Sequence, residues 1–355
     1  MNKIFDILKK QKSIPLDKYI DVALYDNKFG YYIKKNPFGK KGDYITAPLI
    51  SNLFSEMIAI WCVAFWEYLE KPKKILLVEL GPGNGTLSKD LLNTFKNFKN
   101  FNDSLEINLI EKSSTLKKIQ KVNIKNKKVK WIKNINEINC GPVIFLGIEF
   151  FDSMPIKQIY KKNKIFYEKH VALSKNNKNI RFLDKKANKN LVKAIKNLNL
   201  ISGQNIVEYP EDAIFHLKKI SKKIEKYGGG LLSFDYGYTK QKSHYTLQAV
   251  SKHKYTNVLM DPGNADITSH INYKLFSQIL LKENLQTEKI ITQNEFLQKM
   301  GIIERANILA NKMNFKAKAN MFYRLKKLLH QNEMGKLFKV LFAKKKKNKF
   351  SLGFE

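Results

Sequence analysis

The sequence predicts an α/β protein built on a largely parallel sheet with helices on both faces. Three observations predict it. Continuous apolar runs recur in "KKILLVEL" (73–80), "SLEINLIEKSS" (104–114) and "GPVIFLGIEFFDSMP" (141–155), the sign of strands buried on both faces. Segments with apolar residues at helical spacing lie between them, so strand and helix alternate. The first run ends in an acid and three alternate glycines, "ELGPGNG", before a helix opens.

Bulk numbers allow such a core and exclude some classes. The chain has 355 residues, 43% hydrophobic and 12% aromatic, with a net charge of +34, far from the composition of disorder. All but three of its 65 basic residues are lysine, the exceptions being Arg181, Arg305 and Arg324. A nucleic-acid surface would draw on the bidentate fork of arginine. The lysine excess, beside abundant Asn and Ile, therefore reads as the codon drift of an AT-rich genome. Cys62 and Cys140 sit in apolar surroundings without metal-ligand spacing, and the six histidines form no metal motif. Two reduced thiols, no metal site and a cytosolic compartment are expected.

The elements follow in order. "MNKIFDILKKQKSIPLDKYI" (1–20) is basic and amphipathic, but it lacks arginine and carries Asp6. It is therefore a first helix and not an organellar presequence. Residues 24–50 are rich in Gly, Pro and aromatics and read as a loop, with "FGYY" (29–32) in the core. Helical spacing returns over 51–69. Within it "MIAIWCVAFW" (57–66) is far short of the roughly 20 residues that span a bilayer. Beyond the glycines, the strand of 104–114 leads into a helix capped by Ser113 or Ser114, and "KVKWI" (128–132) is a shorter strand. From about 156 to 200 the rhythm breaks into a hairpin, "KIFYEKHVAL" and "IRFL" around "SKNNKN", followed by a lysine-rich helix. The core resumes with the helix "EDAIFHLKKISKKIEKYG" (211–228) and the strand "LLSFDYG" (231–237). The remainder reads as a mostly helical tail ending in "KKKKNK" (344–349).

Three readings compete for the glycine turn. A phosphate loop needs G-x₄-G-K-[ST], and no such pair follows. A dinucleotide fingerprint needs G-x-G-x-x-G, whereas Gly81, Gly83 and Gly85 run G-x-G-x-G. The third reading is the S-adenosylmethionine turn of class I methyltransferases, an acid and one apolar residue before G-x-G-x-G. It suits a ligand with an amino-acid end and no pyrophosphate. Glu79 would orient the methionyl amine, and Glu111, ending the next strand, would hold the ribose hydroxyls.

Ligands of such sheets bind beyond the carboxyl ends of the strands. Two acidic groups end strands there, Glu149 with Asp152 and Asp235. They suit a cationic or amine substrate, and a carboxylate can take the proton that nitrogen releases on methylation. Each also has a plainer reading, Asp152 as a helix cap and Asp235 as part of a strand-end turn. "DPG" (261–263) reads as a turn and His270 as structural.

Together, "YDNKFGYY", "GDYITAPLISNLFSEMIAIW", "VELGPGNGTLSKDLL", "IEKSSTLKKIQ", "EFFDSMPIKQ", "DYGY" and "DITSHINY" resemble the MidA-like methyltransferases. That family includes a mitochondrial factor that methylates an arginine of a respiratory complex I core subunit. The resemblance covers nearly the whole chain. It implies a class I (Rossmann-like) methyltransferase fold: a cofactor-covering segment over 1–50, a core over 51–290 with the insertion, and an extension over 291–355. It also implies S-adenosylmethionine as donor and protein arginine as acceptor, with an unassembled subunit of complex I as the client. Gly81, Gly83 and Gly85 inherit the cofactor turn, Glu149 and Asp152 the acidic motif after the strand, and Asp43 and Thr46 the N-terminal signature expected to line the site. Leu49 and Ile148 depart from the family, which often has an acid and an asparagine there. Two alternatives stay open, a non-catalytic assembly module and an RNA methyltransferase, the latter resting on charge alone. A second copy of the chain is a further candidate partner. The expected compartment is a bacterial cytoplasm, with the mitochondrial matrix as the alternative.

Overall fold

The computed structural model describes residues 3–34, 37–39, 42–43, 45–200, 205–240 and 242–355. Its central sheet runs Leu285–Thr287, Phe338–Lys345, Gly229–Tyr238, Val143–Ile148, Ile75–Leu80, Leu105–Ile110 and Val129–Ile132. The last five pair in parallel, and Phe338–Lys345 runs antiparallel to Gly229–Tyr238. Every residue of Ile75–Leu80 is buried, as the unbroken apolar run requires. Alternation sends Ile75 and Leu77 into one core and Leu76, Val78 and Leu80 into the other. The sheet is thus sandwiched between two apolar layers.

Local signals set the helices. Asn52–Tyr68 starts at Ser51, whose side chain accepts from the Leu53 N–H, and Ser114–Ile124 starts at Ser113, which accepts from the Leu116 N–H. Glu211–Tyr227 stops at Gly228, whose φ of 82° is left-handed.

The hairpin of the insertion is present, Ile165–Leu173 against Ile180–Lys186, within a larger antiparallel sheet. The other edge of Ile165–Leu173 takes Lys157–Lys162 and then Ser13–Pro15. The expected first helix is accordingly two, Lys3–Gln11 and Leu16–Tyr25, with a three-residue strand between them. Lys157 fastens this join through Asp17 at 2.7 Å and Glu168 at 3.4 Å.

One element of the tail departs from the helical expectation. Helices fill much of it, but Phe338–Lys345 is an inner strand of the central sheet. The lysine run therefore begins inside the protein. Lys344 is only 1% exposed; it pairs with Glu288 at 2.5 Å and donates to the Phe350 carbonyl. On the facing layer Phe342 meets Trp61 and Phe65 edge to face. Phe342→Ala should cost about 3–5 kcal/mol, read by urea denaturation. A loss below about 1 kcal/mol would show that this strand does not anchor the core.

Candidate functional site

The strand order reverses between Ile75–Leu80, whose chain continues to Leu105–Ile110, and Val143–Ile148 on its other side. Such a switch point opens a crevice at the carboxyl ends. A cavity of about 780 Å³ lies there, of the size that holds small organic ligands. Its lining runs from Glu111 past Gly81, Glu149 and Tyr236 to Phe338, across five neighbouring strands or roughly 19 Å of sheet.

At the Glu111 end the glycine turn brings backbone to the surface. Gly81 and Gly83 have φ of 62° and 55°, which only glycine adopts without strain. A Cβ on Gly81 would stand 2.9 Å from the Phe150 ring, and one on Gly83 would stand 3.0 Å from Phe38. The turn is braced from below by Gln120, whose side-chain nitrogen donates to the Gly83 carbonyl at 2.7 Å and to Glu111 at 3.1 Å. Its oxygen accepts from the Trp131 indole at 2.8 Å. Glu79 is 3% exposed and accepts from Ser88. Burial first, and then the Glu111 carboxylate, raise its pKa to about 7. Glu111 is also held above the usual range by burial, although the Ser113 N–H donates to it at 2.7 Å.

The other end collects acids. Glu149, itself at φ 51°, lines the cavity with Asp152 and Asp266. Burial is the largest cause of the upward shift in each, and in Glu149 and Asp266 repulsion from Asp152 adds to it. Glu149 and Asp266 both reach about 8. Tyr32 donates to Asp266 at 2.8 Å, the Tyr236 hydroxyl bonds Asp152, and the Ala47 N–H approaches Glu149 at 3.3 Å. Among the described residues no Lys or Arg pairs with any of the three. Among the described residues the lining carries seven carboxylates, those of Asp21, Glu79, Glu111, Glu149, Asp152, Asp212 and Asp266, against two lysines, Lys112 and Lys133. That balance opposes the chain's 65 basic to 31 acidic residues. The cavity suits a cation.

The structure brings most of the expected residues together. Glu79, Gly81, Gly83, Glu111, Thr46, Glu149 and Asp152 all line the cavity. Gly85, Asp43 and Asp235 stand behind the described lining. Gly85 is the N-cap of helix Thr86–Phe95. Asp235 was expected among the catalytic acids but is fully buried, and one of its oxygens accepts the Phe151 and Asp152 N–H groups, each at 3.1 Å. It sets the turn that aims Asp152, and its own ionisation is suppressed by burial and by Asp152. Asp43 accepts from the Tyr31 hydroxyl at 2.6 Å and from the Lys252 N–H at 2.7 Å.

The sequence reading missed Asp266, Tyr236 and Tyr32. Asp266 lay within "DITSHINY", and one signal pointed to it, an acid opening a short strand four residues before His270. "FGYY" is core only in part, since Tyr31 is buried while Tyr32 stacks on Tyr25 at 5.5 Å and lines the cavity. His270 also lines it.

A crevice at a switch point, entered by a glycine turn bearing carboxylates in place of a phosphate nest, defines an S-adenosylmethionine-dependent methyltransferase of the Rossmann-like class. The comparisons give the family. The model described as "Putative S-adenosyl-L-methionine-dependent methyltransferase" matches residues 57–291, and the chain belongs to this family. It is 30% identical to "Protein arginine methyltransferase NDUFAF7, mitochondrial" of Xenopus laevis, over 96% of this chain and 83% of that one. The human protein of the same name is 28% identical over 86% and 74%. A Burkholderia thailandensis "likely methyl transferase" solved with S-adenosyl-homocysteine superposes at TM-score 0.81 and 20% identity, covering 99% of this chain and 90% of that one. It shares the fold.

S-adenosylmethionine is the cofactor, and the residues present fit it. Gly81 and Gly83 leave a cradle that a Cβ would disturb, and two acids flank it, Glu79 buried and Glu111 half-buried, suited to an amine and to hydroxyl groups. Gly83→Val should weaken S-adenosylhomocysteine binding at least ten-fold by calorimetry. The left-handed φ adds strain of roughly 1–2 kcal/mol, so far-UV circular dichroism should stay native; undiminished binding would remove the turn from the site.

The raised carboxylates also set a pH dependence. A carboxyl whose folded pKa lies above its unfolded value holds a proton that the unfolded chain has lost, so stability falls as pH rises between the two. For Glu149 and Asp266 that window runs from their ordinary values near 4 to about 8. The melting temperature of the ligand-free protein should fall from pH 6 to pH 9, where lysines scarcely titrate. Glu149→Gln should flatten the fall; an unaltered slope would show that Glu149 does not ionise within it.

Proposed function

We propose that the protein methylates the guanidinium group of an arginine in a protein client. One observation carries the reading: Glu149, Asp152 and Asp266 share one cavity, and among the described residues no Lys or Arg pairs with any of them. A planar cation with five donors matches such a set of acceptors. The names of the Xenopus and human relatives, protein arginine methyltransferases, support the same acceptor. An RNA acceptor would bring phosphates towards these acids, so the sign of the cavity argues against it.

Glu79, Gly81, Gly83 and Glu111 would hold S-adenosylmethionine, which supplies a methyl group on a positively charged sulfur. The three acids hold and orient the guanidinium, and placing the reacting groups together provides much of the rate. An incoming cation favours the ionised carboxylates and so lowers their raised pKa values. Glu149 can then take the proton that the nitrogen loses as it gains its methyl. Tyr32 and Tyr236 keep Asp266 and Asp152 in place.

The family resemblance supports an unassembled subunit of respiratory complex I as the client. The word mitochondrial in the relatives' names supports the matrix as the compartment; a bacterial cytoplasm holding the corresponding complex would serve the same chemistry. No helix among the described residues is long and apolar enough to cross a membrane.

The test is transfer of labelled methyl from S-adenosylmethionine to arginine-bearing substrates. Glu149→Gln should lower turnover at least ten-fold while cofactor binding survives. Equal rates for mutant and parent would remove Glu149 from the mechanism. Cofactor binding without transfer to any client would turn the reading to a non-catalytic assembly module.

A further inference from the structure

Around the acidic end, three apolar side chains of the cavity lining face water. Ile45 is 38% exposed, Tyr255 78% and Leu337 43%. Each comes from a different segment. Ile45 precedes Thr46 in the N-terminal cover, Tyr255 lies on the strand Lys254–Thr256, and Leu337 ends the single-turn helix Met334–Leu337. Scattered apolar residues on a surface need no explanation, but apolar side chains gathered at the mouth of a polar cavity mark an interaction site.

The rim is built to hold its shape. Tyr255 follows a two-residue turn, Lys252 and His253, whose φ values of 51° and 61° are those of the tight hairpin turn that matches strand twist. Val250 pairs with Tyr255 across the hairpin and lines the same cavity. The Lys252 N–H donates to one oxygen of Asp43, and the Tyr31 hydroxyl donates to the other. Asp43 thus ties the hairpin that carries Tyr255 to the segment that carries Ile45. Exposed lysines, Lys254 and Lys336, stand next in sequence to Tyr255 and Leu337.

A free guanidine would occupy the acids and leave this rim in water. A segment of chain crossing the mouth would cover it, and the lysines would repel a second cation beside the first. We infer that the acceptor arginine lies in an extended segment whose neighbouring residues are apolar, seated on Ile45, Tyr255 and Leu337, and that arginines in basic surroundings are refused. This inference rests on the arginine reading of the acidic cavity. Burying each neighbour against the rim lowers KM, whereas the acids act on turnover.

The experiment uses the full chain, S-adenosylmethionine with labelled methyl, N-acetylarginine amide, and three peptides with one central arginine. The flanks are leucine and phenylalanine, serine and glycine, or lysine. The apolar peptide should show kcat/KM at least ten-fold above the serine and glycine peptide, mainly through KM, and the lysine peptide should be poorest. Tyr255→Ser should reduce the ten-fold preference to below three-fold, and Tyr255→Phe should keep it. Equal kcat/KM for the three peptides, or a preference untouched by Tyr255→Ser, overturns the inference while label on the peptides upholds arginine as acceptor. No label on any arginine probe, N-acetylarginine amide included, overturns both.

Discussion

Negative charge buried without a fixed cation opposite it is the constraint on which this structure depends. An isolated carboxylate in a low-dielectric space costs several kcal/mol, and proteins answer by pairing it, hydrogen-bonding it or keeping it protonated. All three answers appear here in different places. Away from the cavity, Asp17 and Glu168 pair with Lys157. Beneath it, Asp235 takes backbone N–H groups. Within it, Glu149 and Asp266 hold their protons to unusually high pH. Among the described residues, Glu149, Asp152 and Asp266 face the cavity with no Lys or Arg paired to them.

The scaffold's irregular features serve that arrangement. Glu149 adopts a left-handed φ and ties its N–H to the Phe234 carbonyl at 2.8 Å. The chain therefore turns sharply out of Val143–Ile148 and delivers two acids within four residues. Asp235 on the neighbouring strand catches the N–H groups of Phe151 and Asp152. From the far side, Tyr25 and Tyr32 stack on one another, and the Tyr32 hydroxyl reaches Asp266. The N-terminal cover is also held to the glycine-turn side, where the Thr115 hydroxyl donates to the Ile33 carbonyl at 2.8 Å. The cover therefore touches both halves of the cavity.

What was legible in the sequence is what neighbouring residues decide. "KKILLVEL" has one reading because a continuous apolar run ending in glycine can be satisfied by a buried strand alone, and the glycine turn is local by construction. Phe338–Lys345 was hidden because "FKVLFAKK" follows a helical stretch and runs into lysines; its place between two other strands is settled by contacts with Trp61 and Phe65, more than 270 residues earlier. Ser13–Pro15 is too short to signal a strand and exists because Ile165–Leu173 offers it an edge. Asp266 could not be ranked from sequence, since its partner Tyr32 lies 234 positions away. Asp43 illustrates the same limit, because its neighbours place it near the site, and only the Lys252 turn, 209 positions away, shows which N–H it accepts.

The two scales of charge in this protein can be separated on the same ground. A surface with 65 basic residues repels cations at a distance, but at physiological salt that field decays within about 8 Å. Buried charges are screened far less, so the acids of the cavity act on whatever has already reached its mouth. Lysines distributed by composition can then coexist with an acidic cavity, provided those in its walls keep their ammonium groups away from its acidic end. Lys112 shows how this is managed on the glycine-turn side: its ammonium lies 4.4 Å over the Tyr25 ring and 3.4 Å from Asp21, facing solvent and committed to partners of its own. Local geometry, and not net charge, therefore decides what this cavity accepts.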